Sequence, residues 1–350
     1  MEEKTDIKSL LPEELEDAML ALDAPKYRAR QIFQWLMRGV VSFDEMTNLP
    51  VSLRKQLNEK FKITSPEIRK KQVSRVDGTV KYLWGLGDGQ AIESVIMRYR
   101  YGNTLCVSSQ VGCRMGCAFC ASTIGGRIRN LTASEMLDQV LFAEIDSGLK
   151  ISHIVMMGIG EPLDNLDQVV RFLMLVHDPA GLNISLRHIT ISTCGITDRI
   201  PDLAALNLPL TLTLSLHAPD DETRARIMPV SRRYPLGPLM DSCRSYVQTT
   251  GRRMSFEYAM IRDVNDSPGQ AKALAKLLSG MLCHVNLIPL NEVAESPLHP
   301  SRPETIQRFQ TILTDQDINT TVRRRLGPDI QASCGQLRRS VMTEKRLHDY

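Results

Sequence analysis

The chain has 350 residues, 43% hydrophobic and 24% charged, with a formal net charge of +3, which suits one large domain plus a small one and excludes a disordered chain. No run approaches the roughly 20 apolar residues that span a bilayer, and the opening Met1-Glu-Glu-Lys lacks the apolar stretch of an export signal. A cytoplasmic monomer with no membrane partner is expected, and the charge balance permits an anionic partner without demanding one.

In chain order, residues 1–65 read as a small helical module. Leu11-Pro12-Glu13-Glu14-Leu15 opens one amphipathic helix, Arg28 to Leu36 forms a second, and Ser52 to Leu57 a third. Lys26, Arg28, Arg30, Arg38, Arg54, Lys55, Lys60 and Lys62 make the module rich in positive charge. Charge alone fits a solvated face and a surface for RNA phosphates equally well. Around Pro66 the pattern changes, and Thr79 to Trp84 with Ala91 to Met97 flank Gly85-Leu-Gly-Asp-Gly89. This predicts a β-hairpin connector over 66–100.

Over 101–340, strand candidates at 104–108, 153–157, 188–193, 210–216, 254–260, 283–288 and 318–324 alternate with helix-length segments, and 341–350 is a tail. Repeated βα units imply a parallel sheet. The expected fold is α/β, a partial TIM-like barrel of about six to seven units. Active sites of such barrels lie where strands hand over to loops, and nearly every unusual residue falls there: the cysteine group, Gly158-Ile-Gly160-Glu161, Ser192, Ser215-Leu216-His217, Asn291 and Cys334.

Eight cysteines, four of them between Cys106 and Cys120, suggest metal or redox chemistry in a reducing compartment. Cys113-Arg-Met-Gly-Cys117-Ala-Phe-Cys120 lets one loop wrap three thiolates around a [4Fe-4S] cluster and leaves one iron open. A zinc site is the alternative; it needs a fourth ligand and commonly shows a second C-x2-C half, which this chain lacks. The spacing matches the radical S-adenosylmethionine (SAM) superfamily, with Phe119 as its aromatic before the third cysteine. There the open iron is chelated by the SAM amine and carboxylate. Gly158-Ile-Gly160-Glu161 resembles the superfamily's motif for the methionyl amine: glycines let backbone approach the cofactor and Glu161 accepts from the ammonium. Alone, such glycines simply make a turn. Ser192, Ser215-Leu216-His217 and Asn291 are candidates for the SAM carboxylate, ribose and adenine; each taken singly reads as a polar strand cap.

On a period-two strand Cys106 faces away from Leu105 and Val107, so it points into the barrel if that apolar pair packs under helices. Cys334 sits in a loop expected at the same mouth, while Cys194, Cys243 and Cys283 read as small buried hydrophobes.

The sequence closely resembles the RlmN and Cfr family of radical SAM RNA methyltransferases over nearly its whole length. The matching segments are Pro25-Lys-Tyr-Arg-Ala-Arg-Gln-Ile-Phe33, Phe43-Asp-Glu-Met-Thr-Asn-Leu-Pro50, Ala91-Ile-Glu93-Ser94 and Leu105-Cys-Val-Ser-Ser-Gln-Val-Gly-Cys113. They continue with Met156 to Pro162, Ser215 to Pro219, Val264-Asn-Asp266, His284 to Pro289 and Cys334-Gly-Gln-Leu337. Departures are Gln331, where the family usually has Asp, and Ser333, where Ala is usual.

The resemblance implies that Cys334 takes a methyl group from one SAM and that a second SAM yields a 5′-deoxyadenosyl radical. A hydrogen is then removed from the S-methyl group and the resulting carbon radical adds to an adenine ring carbon. Glu93 would accept the ring proton; a charged residue on a strand surface is its plainer reading. Cys106 would release the RNA by forming a disulfide with Cys334. The implied partners are 23S rRNA, tRNA, a flavodoxin-like or ferredoxin-like electron donor and a disulfide reductant. Candidate phosphate contacts are Arg127, Arg129, Arg232, Arg233, Arg323, Arg324 and Arg325. Cys120-Ala-Ser-Thr-Ile-Gly-Gly126 and the basic module look more like the C2-methylating branch than the C8-methylating resistance branch. A radical SAM enzyme acting on a peptide or small molecule, and a zinc-bound RNA-binding module without catalysis, are the competing readings.

Overall fold

The computed structural model describes residues 4–291 and 296–330. Cys334, Gln331, Ser333 and the 341–350 tail therefore lie outside the described residues.

In the N-terminal module, β1 (Thr5–Asp6) precedes α1 (Pro12–Leu20), α2 (Tyr27–Leu36) and α3 (Val51–Lys60), and pairs in parallel with β2 (Phe61–Lys62). Pro12 starts α1 where a missing N–H costs nothing, and the Glu14 carboxylate accepts from Leu11 N at 2.8 Å. In α2, Ala29, Ile32, Phe33 and Leu36 are buried at helical spacing. The module's apolar side chains run into the same core as those of the larger domain. Lys8, wholly buried, pairs with Asp138, and Arg171 grips Glu14.

The segment expected as a connector forms β3 (Glu67–Val73), β4 (Val80–Gly85) and β5 (Ala91–Tyr99), an antiparallel meander continued by β6 (Gly102–Cys106). It is thus part of one ten-stranded sheet. A short antiparallel pair, β7 (Gln110–Gly112) and β8 (Arg127–Asn130), lies apart and frames the cysteine loop. After α4 (Ala133–Ser147), the strands β9 (Ile151–Met156), β10 (Ile189–Thr193), β11 (Thr211–Ser215), β12 (Met254–Met260), β13 (Cys283–Pro289) and β14 (Thr320–Val322) follow β6 in parallel, each beside the last. The intervening helices are α5 (Leu166–His177), α6 (Ile200–Ala205), α7 (Asp221–Ile227), α8 (Leu236–Thr250), α9 (Pro268–Leu278) and α10 (Pro303–Thr314). This is the partial barrel that the βα alternation predicts. Among the described residues, no helix is long and apolar enough to cross a membrane.

Strand register sorts the two faces. Leu105 stands opposite Ile154, Met156 opposite Ile191 and Ile191 opposite Leu212, all buried in the main core. The alternate set runs Cys106, Val155, Thr190 and Thr211, then Ser192 with Thr213, then Ser215, Glu257, Asn286 and Thr321. One face is therefore apolar under helices and the other is polar, as a barrel lined for chemistry requires.

Candidate active site on the polar face of the barrel

Cys106 falls outside the main core, in a separate small cluster with Val95 and Met97, against which Tyr99, Val155, Met157 and Leu326 pack. It stands directly opposite Val95 across the β5–β6 ladder. Glu93, two residues from Val95, shares that face and is a diagonal neighbour of Cys106, a relation that spans about 7–8 Å between backbones. Glu93 is 1% exposed and its carboxylate meets Lys81 Nζ at 3.1 Å, both side chains being wholly buried. Ser108 Oγ donates to Glu93 O at 2.6 Å. The Glu93 position is therefore a buried wall of the barrel. Lys81 was missed by sequence reasoning; its signal is one charge inside the apolar run Thr79 to Trp84.

The cysteine loop follows β7, one short strand later than the sequence alone suggests. Cys113 is buried, and Cys117 and Cys120 are half-buried. The loop is tied by Cys120 N donating to Cys117 O at 3.1 Å, Thr123 Oγ1 donating to Cys120 O at 2.9 Å, and Ala118 N donating to Ile227 O at the end of α7 at 2.9 Å. Burial pushes the Cys113 thiol up to about 12 and Cys117 well above the usual thiol range, each raised further by the neighbouring thiols of the trio. Such a set becomes thiolate only with cationic metal among it. No three His, Cys, Asp or Glu side chains among the described residues gather around a single point. Thiolates that each take a different iron of a cluster have no need of that convergence. Beside the loop, the hydroxyls of Ser122 and Ser231 are buried without a protein partner. The donor set fits an iron–sulfur cluster.

The glycines after β9 are required by the chain's own backbone. A Cβ on Gly158 would stand 2.7 Å from Val107 C and O and Ser108 N, and one on Gly160, where φ is +114°, 2.7 Å from Gln110 N. They let two backbone segments touch, and so bring Glu161 under the cysteine loop. The Glu161 carboxylate is buried and accepts from Leu163 N at 3.0 Å and Cys194 N at 2.7 Å. Burial raises its pKa, against the pull of those N–H donors. Each oxygen keeps acceptor capacity beyond one N–H.

Ser192 and Ser215, neighbours at the strand ends, lie with their hydroxyls 3.3 Å apart. Leu216 is fully buried; it and His217 both donate main-chain N–H to Glu257 O. His217 has φ +58°, in the left-handed region that non-glycine residues uncommonly adopt. Asn265 holds it there: Nδ2 donates to His217 O at 2.7 Å and to Ala259 O at 2.6 Å, while Oδ1 accepts from Ile261 N. His217 Nδ1 accepts from Ala259 N at 2.9 Å, so the ring proton sits on Nε2. Burial pushes its pKa down to about 3, with Arg224 adding to the effect. Phe119 meets this ring edge-on at 4.8 Å. Asn265 belongs to the Val264-Asn-Asp266 segment, whose role was not visible in sequence. Glu257, buried and held by Asn286 Nδ2 at 3.0 Å, is a second residue that sequence reasoning missed. Asn291 is exposed just beyond β13.

The expected phosphate contacts divide. Arg129 is engaged by Glu135 through two bonds of 2.8 Å and by Asp88 at 2.7 Å, and Arg127 by Asp164 at 2.9 Å. Arg323 and Arg325 turn to Met157 Sδ and Leu290 O. Arg232 and Arg324 are exposed.

Comparison with known proteins agrees with this architecture. Residues 107–271 match the model of the radical SAM superfamily, and residues 5–63 that of the ribosomal RNA large subunit methyltransferase N-terminal domain. A solved radical SAM methyltransferase from Sphaerobacter thermophilus superposes with a TM-score of 0.90 at 45% identity, covering 95% of this chain and 98% of that one. The chain is a radical SAM enzyme, and membership implies a [4Fe-4S] cluster and SAM. Relatives named "probable dual-specificity RNA methyltransferase RlmN" are 50% identical in Alkaliphilus metalliredigens, over 98% of this chain and 97% of the relative, and 52% identical in Alkaliphilus oremlandii, over 96% and 98%. The chain belongs to the RlmN family of radical SAM RNA methyltransferases.

Proposed function

We propose that the chain methylates C2 of an adenosine in 23S rRNA, at the peptidyl transferase centre, and C2 of the adenosine 3′ of the anticodon in tRNA. Cys113, Cys117 and Cys120 hold the cluster; Gly160, Glu161, Ser192, Ser215, Leu216, His217 and Asn291 hold SAM, with Glu161 accepting from the methionyl ammonium and His217 Nε2 donating. When bound, the cluster supplies the electron that splits SAM into a 5′-deoxyadenosyl radical. Cys334 carries the methyl group, loses one hydrogen atom from it to that radical and becomes linked through the remaining CH2 to C2; the adduct gives up one electron and Glu93 takes the C2 proton. Cys106 attacks the Cys334 sulfur and breaks its bond to the CH2 carbon, which takes up a proton, freeing methylated RNA and leaving a disulfide for an external reductant. A flavodoxin-like or ferredoxin-like donor supplies electrons. C2 of adenine is an electrophilic amidine carbon that ordinary methyl displacement does not reach, which is why a radical route and two extra thiols serve one reaction.

The observation that carries this reading is the convergence on Cys106. Glu93 shares its face, and Leu326, eight residues before Cys334 in the sequence, packs into its cluster. The descending chain is anchored there: Gly327 N donates to Asp77 at 2.8 Å, and Asp329 accepts from Ser74 Oγ at 2.6 Å and Arg75 N at 2.9 Å. The test is mass spectrometry of digested RNA after reaction. 2-Methyladenosine is expected; 8-methyladenosine transfers the reading to the resistance-type reaction, and unmodified RNA ends it. Cys106→Ala is expected to trap protein covalently on RNA, whereas Cys334→Ala forms no adduct.

A further inference from the structure

Arg224 on α7 is fully buried, yet its guanidinium donates only to main-chain carbonyls: Nε to Leu216 O at 3.1 Å, Nη2 to Cys194 O at 2.6 Å and Nη1 to Tyr234 O at 3.4 Å. Asp221, three residues earlier on α7, favours its charge from beyond ion-pair distance, and among the described residues no carboxylate pairs with it directly. A cation removed from water without a counter-charge is unfavourable, and neutral carbonyls satisfy its donors without neutralising it. The position suggests what does. The cysteine loop rests on the same helix, since Ala118 N donates to Ile227 O, and Gly116 lies against Pro229 just past the helix end. Through Cys194, whose carbonyl Arg224 holds while Cys194 N donates to Glu161 Oε2 at 2.7 Å, the same fork steadies the Glu161 carboxylate.

We propose that Arg224 is a positioning residue whose buried guanidinium is the internal counter-charge of the iron–sulfur cluster, raising its reduction potential and so easing uptake of the electron from the external donor. Three thiolates around the cluster give it net negative charge, and reduction adds one more electron; a fixed cation out of water stabilises the reduced form. Lysine would keep the charge but not the planar fork. The proposal rests on the reading that Cys113, Cys117 and Cys120 hold the cluster.

The test is a reductive titration of reconstituted holoenzyme followed by electron paramagnetic resonance, with iron and sulfide counted per chain. Arg224→Gln is expected to shift the midpoint to lower potential, and Arg224→Lys to hold it near that of the wild type. An unshifted Arg224→Gln overturns the proposal. So does a fall in Arg224→Lys, which keeps the test decisive should the glutamine variant not take up a cluster. A wild-type protein giving no reduced-cluster signal overturns the cluster assignment itself, a result distinct from either.

Discussion

The strand wall and the loop rim of the barrel hold their chemistry-bearing residues by different means. On the wall, the β4–β5–β6 ladder decides which side chains share a face, so Lys81, Glu93 and Cys106 are set by register and by burial of one ion pair. On the rim, the cysteine loop, the Gly158–Glu161 turn and the Ser215–His217 turn are set by contacts with one another: Ala118 with Ile227, Gly158 with Val107, and Asn265 with His217. The difference teaches that the two can fail separately. Rim damage should cost the cofactors, and wall damage should leave them bound while the later steps stop.

The largest expected effect tests that separation directly. Cys117→Ala is expected to lose most cluster iron and sulfide and, with them, methyl transfer, whereas Cys106→Ala keeps both metal and colour. Iron and sulfide analysis of the two purified variants decides it, and a Cys117→Ala protein with a full cluster breaks the comparison at its root. Next comes the wall's own energetics. Lys81→Met removes the cationic partner of the wholly buried Glu93 carboxylate, a loss of about 3–5 kcal/mol in stability. Lys81→Met combined with Glu93→Gln should recover part of it. Denaturant unfolding measures both, and a loss near zero in the single variant would show the pair to be reached by water.

Gly158→Ala probes the rim's packing. Its new Cβ would sit 2.7 Å from main-chain atoms of Val107 and Ser108, which cannot yield as a side-chain tip does, so a cost of about 1–3 kcal/mol is expected. Weakened SAM binding should accompany it, because the turn aims Glu161. Equilibrium binding of SAM to the reconstituted protein checks the second half; unchanged affinity would detach Glu161 from the glycines.

What was legible in sequence follows the same division. The β12 span of 254–260 and the inward aim of Cys106 follow from local periodicity, and the trio follows from spacing within one loop. The Lys81–Glu93 pair, the Asn265 clamp and the Arg224 fork join residues that only the folded chain brings together, and no local pattern encodes them. Arg129 illustrates the converse. As a basic residue near the mouth it reads as a phosphate contact, yet Asp88 and Glu135 engage it. The glycines after β9 were found, but their purpose depends on the backbone of 107–110 lying against them.

The smallest expected effect lies where rim and wall meet, at His217. Its folded pKa of about 3 lies below the unfolded value near 6.5, so the unfolded chain binds a proton that the folded one refuses. The stability it contributes is complete above about pH 6.5 and is lost as pH falls toward 3, at no more than about 1.4 kcal/mol per pH unit. His217→Asn, which tolerates the positive φ, should flatten the fall in unfolding free energy between pH 6.5 and 5 by up to that slope. An identical slope in both proteins would mean that the ring takes up a proton in the folded state despite accepting from Ala259 N. The donor expected to face SAM would then be an imidazolium, and the rim would carry a charge that its buried neighbours Arg224 and Leu216 leave no room to hydrate.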